Sequence, residues 1–369
     1  MRIERARLFR VDMPLVRPFR TSFGEERDRQ CVLVALEGEG VVGWGECPAT
    51  RWPGYSYETA GTVWEVLTAH FLPVVLGKSV EGVDDLLAAL QPFRGHPMAR
   101  AGLEMALWDL LGRARGESLQ SMLGGAGDRV PVGISLGIQN DPAELESRIA
   151  AALAAGYQRV KLKIEPGRDV LVVRRMRTAF PDLRMQVDAN AAYSRADFDQ
   201  LVALDEFGLT MIEQPLAEAD WVGHQQLQTR LRTPLCLDES IHSAADARLA
   251  IEMGACRIIN IKAGRVGGLS EAVKIHDLCW QADVPVWCGG LLETGIGRAA
   301  NLALASLPGF RYPGDISATD RYYEQDIASP RFELQDGCLP VPQTAGLGVE
   351  VIPDAMDQFS VQKKELVAG

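Results

Sequence analysis

Five aliphatic runs in this chain end, one after another, in a charged side chain, and the ends keep a nearly constant step. Lys163 is followed after 25 residues by Asp188, after 25 more by Glu213, after another 25 by Asp238 and after 24 by Lys262. A short branched-aliphatic run followed by a longer stretch of helical period is the pattern of strand–helix units on a parallel sheet, and one unit of a closed barrel has about this length. The strand candidates are Val132–Leu136, Arg159–Ile164, Arg184–Val187, Thr210–Ile212, Leu235–Leu237, Arg257–Ile261 and Val284–Cys288. Ser243 and Gly254 bracket one intervening helix as start and stop. Arg311–Ile316 supplies an eighth strand without an ordinary helix after it.

The chain before this region has a different texture. Arg2–Met13 alternates apolar and polar, and Cys31–Leu36 with Val41–Gly45 flank a glycine-containing turn, so a hairpin is expected. Arg17–Gly24 and Arg51–Ser56 read as loops, whereas Glu58–Ala69, Val83–Leu90 and Met98–Arg113 carry helical spacing. We therefore divide the 369 residues into an α+β unit over 1–125, a barrel over 126–320 and a segment over 321–369 that returns to the first unit. A net charge of −11 repels polyphosphate and anionic lipid, which argues against nucleic-acid and membrane-surface partners. Seven cysteines without a CxxC pair read as reduced thiols, and no signal-like or membrane-spanning run is present, so a soluble cytoplasmic protein is expected.

In a parallel barrel the active site lies at the C-terminal ends of the strands. Asp188, Glu213 and Asp238 would converge there from three adjacent strands, and three anions in close quarters require a cation among them. All-oxygen ligation with no His or Cys favours a hard divalent metal, Mg2+ before Ca2+, with Mn2+ or another divalent ion as substitute. Asn190 and Glu239 are placed to fix those ligands. Lys161 and Lys163 precede the trio by one strand and Lys262 follows it by one, so Lys163 and Lys262 would face one substrate carbon from opposite sides. The two-residue step puts Lys161 beside Lys163, and their repulsion is expected to lower the pKa of each toward the range of a working base. Metal plus base then points to abstraction of the proton α to a carboxylate.

Lys161-Leu162-Lys163, Asp188-Ala189-Asn190, Glu213-Gln214-Pro215, Asp238-Glu239-Ser240 and Lys262 resemble, in order and spacing, the motifs of the enolase superfamily's muconate-lactonizing subgroup. The resemblance spans the whole chain and implies a (β/α)7β modified TIM barrel with an α+β N-terminal capping domain. Gly133–Gly137, Trp287–Gly297 and Pro313-Gly314-Asp315 are similar to the N-acylamino acid racemase / o-succinylbenzoate synthase branch. That implies proton exchange by Lys163 and Lys262, tuning by Lys161, Mg2+ on Asp188, Glu213 and Asp238, and substrate contacts from Phe19, Tyr55, Ser135, Gly290 and Leu291. A dipeptide-epimerizing branch would carry a paired DxD at the eighth strand, whereas Asp315-Ile316-Ser317 has one carboxylate. An N-acyl, N-succinyl in particular, amino acid is therefore the expected substrate, with dehydration to o-succinylbenzoate in the same site.

Other readings stay open at this level. The synthase of menaquinone biosynthesis could be the main role, and dipeptide epimerase or muconate cycloisomerase activity is a further possibility. A Schiff-base aldolase barrel would use a lysine as nucleophile and need no carboxylate trio. A non-catalytic barrel would need none of these groups. A homo-oligomer acting on a small carboxylate is expected.

Overall fold

The computed structural model describes residues 1–369. Its N-terminal part is built on a four-stranded antiparallel sheet of Arg5–Thr21, Gly24–Gly38, Val41–Cys47 and, at the far edge, Ser360–Val367 from the C-terminus. Every residue of Cys31–Leu36 is buried, because successive side chains point to opposite faces and both faces are covered. Cys31, Leu33 and Ala35 join the core shared with the barrel, while Val32, Val34 and Leu36 join a separate core under the helices. The helix Pro97–Arg115 lies directly on the strand Val41–Cys47. A Cβ at Gly45 would stand 2.0 Å from the Gly102 carbonyl, so the close approach exists only because both residues are glycine.

Arg17–Gly24 differs from its expected loop. The strand runs on to Thr21 and the hairpin turns at Ser22-Phe23, with Phe19 paired to Glu26. The alternation is broken after Pro14, where the register shifts, and the continuation beyond it lacked a sequence signal. The tip docks on the barrel, since Ile138 N donates to Arg20 O at 3.0 Å and Ser22 Oγ to Ala189 O at 3.2 Å.

The second part is a seven-stranded parallel sheet in sequence order: Ile134–Leu136, Val160–Lys163, Met185–Asp188, Ile212–Glu213, Leu235–Leu237, Ile258–Ile261 and Val286–Cys288. Its two edges are joined by the eighth segment, which makes isolated bridges only, Phe310 to Val286 on one side and Gly314 to Val132 on the other. The sheet thus curls into a barrel whose last stave is held by isolated bridges rather than by a continuous ladder. All seven cysteines are free thiols, and no helix is long and apolar enough to cross a membrane.

Candidate active site

Strand register sets the level of the charged groups. Lys163 pairs with Asp188 and Asp188 with Glu213 across neighbouring parallel strands, so these three stand side by side at the C-terminal rim. Asp238 and Lys262 follow directly on the fifth and sixth strands. Within Val160–Lys163, Lys161 and Lys163 share the inner side while Val160 and Leu162 pack in the core outside. The backbone reverses sharply beyond the strands, with positive φ at Asn190 (45°), Gln214 (36°) and Leu292 (57°). Such strain clusters where function over-determines the chain. Gln214 uses its turn to brace the fifth strand, its Oε1 accepting from Asp238 N at 2.9 Å and Ser240 N at 3.2 Å.

The ammonium groups lie between the carboxylates. Lys161 Nζ is 3.0 Å from Asp188 Oδ2, 3.0 Å from Glu213 Oε2 and 2.6 Å from Asp315 Oδ2. Lys163 Nζ donates to Asp188 Oδ2 at 2.6 Å and to Asn190 Oδ1 at 2.5 Å. Across the rim, Lys262 Nζ donates to Asp238 Oδ2 at 2.7 Å and to the Tyr55 hydroxyl at 3.1 Å, and that hydroxyl donates to Asp238 Oδ1 at 3.0 Å. Glu213 is further held by Asn260 Nδ2 at 2.8 Å and Gln186 Nε2 at 3.1 Å.

The two neighbouring lysines titrate in opposite directions, which corrects the expectation that repulsion lowers both. Burial, opposed by Asp188 and aided by Lys161, moves Lys163 below the usual lysine value. Burial acts the same way on Lys161, but Asp315, Glu213 and Asp188 outweigh it and move that lysine up. Lys262 also moves up, as Tyr55, Glu213 and Glu239 overcome its burial. Asp315 is pushed up by burial but held down at about 2 by Arg159 and Lys161.

No three Asp, Glu, His or Cys side chains are disposed to hold a metal ion in this arrangement, because lysines supply the positive charge between the acids. The donor set still fits a hard divalent cation. Asp188, Glu213 and Asp238 are all buried and offer oxygen alone, and the neighbouring Glu239 keeps a buried Oε2 with no partner while its Oε1 accepts from Asn190 at 2.8 Å.

Above the rim lies a cleft bordered by Lys161, Lys163, Lys262 and Asn190 and also by Phe19, Tyr55, Ser135, Gly290 and Leu291. Asp188, Glu213 and Asp238 lie beneath these groups, and Glu239 faces an adjoining cleft on the far side of Tyr55. Phe23 and Trp52, rings 6.1 Å apart, close the outer wall. Arg265, Arg159 and Asp315 are among the members that had no role assigned from sequence. Arg265 donates to Asp238 and, at 3.2 Å, to the Tyr55 hydroxyl. Arg159 holds Asp315 at 2.7 Å, and Asp315 in turn holds Lys161. The position of Arg265, three residues after Lys262, was the one available signal.

Residues 4–124 match the family profile described as "Mandelate racemase / muconate lactonizing enzyme, N-terminal domain", and residues 144–355 match "Enolase C-terminal domain-like". The chain is 48% identical over 364 residues to an N-succinylamino acid racemase of Amycolatopsis sp, covering 98% of this chain and 99% of the relative. It is 47% identical over 359 residues to an o-succinylbenzoate synthase of Geobacillus stearothermophilus, covering 97% and 96%. Among solved structures, an enolase-superfamily member from Listeria innocua superposes with a TM-score of 0.96 at 38% identity over 100% of both chains.

Proposed function

Since the chain belongs to the enolase superfamily, among the mandelate racemase and muconate-lactonizing enzymes, we propose that it removes and returns the proton next to a substrate carboxylate. On this reading it is an N-succinylamino acid racemase and, through the same first step, an o-succinylbenzoate synthase, the names carried by relatives 47% and 48% identical to it. One observation carries the proposal: Lys163 and Lys262, from the second and sixth strands, border a single cleft, each hydrogen-bonded to its own carboxylate.

Asp188, Glu213 and Asp238 would hold the divalent cation, Mg2+ by the hardness of their donors, and it would supply positive charge opposite the substrate carboxylate as negative charge builds there. Lys163 takes the α proton from one side and Lys262 returns one from the other, which inverts the centre. Lys161, fixed by three carboxylates, adds a stationary positive charge beside Lys163. Ser135 is 4% exposed with an unpartnered hydroxyl, which leaves a hydrogen bond free for substrate. Phe19 and Tyr55 from the capping unit, with Gly290 and Leu291 opposite, exclude water. The Asp315 carboxylate is taken up by Lys161 and Arg159, so it is not free to grip a substrate ammonium group. An acylated nitrogen therefore fits better than the free amine of a dipeptide.

The test is a substrate panel with Mg2+ of N-succinyl amino acids, N-acetyl amino acids, dipeptides and the o-succinylbenzoate precursor. Racemisation of the N-succinyl compounds and dehydration of the precursor are expected, and both should fall by about 10³-fold or more in Lys163→Ala. Dehydration retained in that variant shows the principal base to be misassigned. Chelation by EDTA should stop both reactions and added Mg2+ restore them. Turnover of dipeptides alone would overturn the substrate assignment.

A further inference from the structure

Arg29 brings to the cleft a positive charge that the protein leaves largely uncommitted. It lies on the strand Gly24–Gly38, is 2% exposed and borders the same cleft as the three lysines. Each of those lysines has a carboxylate oxygen within hydrogen-bond reach, at 2.6 Å for Lys161, 2.6 Å for Lys163 and 2.7 Å for Lys262. Arg29 has none. Its Nη2 donates to the Pro48 carbonyl, its Nη1 stands 3.6 Å from Glu26 Oε2, and its Nε is buried without a partner. Leaving a buried donor of a charged group unpaired is costly. An arginine kept in that state at the wall of a ligand cleft is poised for an anion that arrives with the ligand.

We propose that Arg29 binds the distal carboxylate of a dicarboxylic acyl group, the end of a succinyl chain remote from the reacting carbon. The inference rests on the proton-exchange reading above and adds the residue that selects the acyl group. A guanidinium suits the task because its N–H bonds are laid out in a plane that matches a carboxylate, and it stays charged at every working pH. Glu26 also borders the cleft and is 17% exposed at its side chain. It is the competing anion. Its charge partly neutralises Arg29 and repels the arriving carboxylate, so it weakens the preference that Arg29 creates.

The experiment compares kcat/KM for N-succinyl-phenylalanine and N-acetyl-phenylalanine, two substrates with the same reacting centre, in wild type, Arg29→Gln and Glu26→Gln. Wild type should favour the succinyl compound. Arg29→Gln should reduce the succinyl-to-acetyl ratio by about tenfold or more, mainly through KM, since one charge-assisted contact is lost on one substrate alone. Glu26→Gln, at a partly exposed position that the fold tolerates, should raise that ratio. Equal losses on both substrates in Arg29→Gln, with no rise of the ratio in Glu26→Gln, would make Arg29 a packing residue and overturn the proposal. If wild type turns over neither compound, the proton-exchange reading itself fails, which is a different result.

Discussion

A methyl group added at Gly289 would stand 2.4 Å from Asn260 Oδ1 and 2.6 Å from Lys262 Cε. The bare backbone there is what lets the Lys262 arm reach the cleft along the sixth strand. Gly289→Ala should therefore displace that arm, and a displacement of about 1 Å can reduce turnover by about 10²-fold. Lys163 is untouched by the change. Proton NMR in heavy water should then show racemisation falling while one enantiomer still exchanges its α proton; equal loss of exchange from both enantiomers would contradict this. The charged residues that meet at the rim were legible in sequence because each ends an aliphatic run, where a buried charge needs a reason. Lys161 was legible by position but not by titration. Its neighbour Lys163 is two residues away in sequence, whereas the carboxylates that outweigh its burial come from three other segments. Arg159 and Arg265 escaped for the same reason, since the pairing that makes a buried arginine tolerable is visible only in space.

At the scale of elements, the helix Pro97–Arg115 shows how ends are satisfied from a distance. Its N-cap residue, His96, adopts φ 54° and offers no side-chain cap. Glu58, 1% exposed and far off in sequence, accepts instead from Met98 N at 2.6 Å and Ala99 N at 3.2 Å. Glu58→Ala should leave two buried N–H groups unpaired and lower stability by about 1–2 kcal/mol, read as an earlier urea midpoint at unchanged slope. Glu58→Gln, which keeps one acceptor oxygen, should recover part of the loss; a midpoint unmoved by the alanine change would rule out the cap. Elements were legible where local signals agreed, as for Val83–Leu90 and Leu235–Leu237, whose observed bounds match the periodicity. The hairpin tip around Phe19 was not, because its pairing depends on a shift of register past Pro14. The eighth stave was legible as a strand over Arg311–Ile316, but that it joins both sheet edges through isolated bridges alone follows from barrel closure.

The whole molecule is held together by acids of the capping unit that reach into the barrel. Glu104 accepts from Ser270 N at 2.8 Å at the start of the helix Leu269–Gln281. Glu46, fully buried, accepts from Thr294 N at 3.1 Å and Gly297 N at 3.0 Å at the start of the helix Gly295–Ala305. This second contact anchors the segment carrying Gly290 and Leu291, and so ties the floor of the cleft to the sheet above it. Burial, reinforced by repulsion from Glu293 and opposed by the bonds from Thr294 and Gly297, raises the Glu46 pKa from the ordinary 4.5 to about 7. The sign follows from proton uptake. Between those two values the folded chain holds a proton that the unfolded chain has released, so the contribution of Glu46 to stability is full below 4.5 and is lost as pH rises through about 7. Each unit of displacement corresponds to about 1.4 kcal/mol. Glu46→Gln keeps an acceptor and removes the titration, while Glu58 and every other shifted group are common to both proteins and cancel in the difference. Melting temperatures of the two proteins taken from pH 5 to 8 should show the variant gaining on wild type as pH rises, with the gain levelling off above about pH 8. A difference that stays constant across that range would mean that Glu46 is ionised throughout, the hydrogen bonds from Thr294 and Gly297 then outweighing its burial.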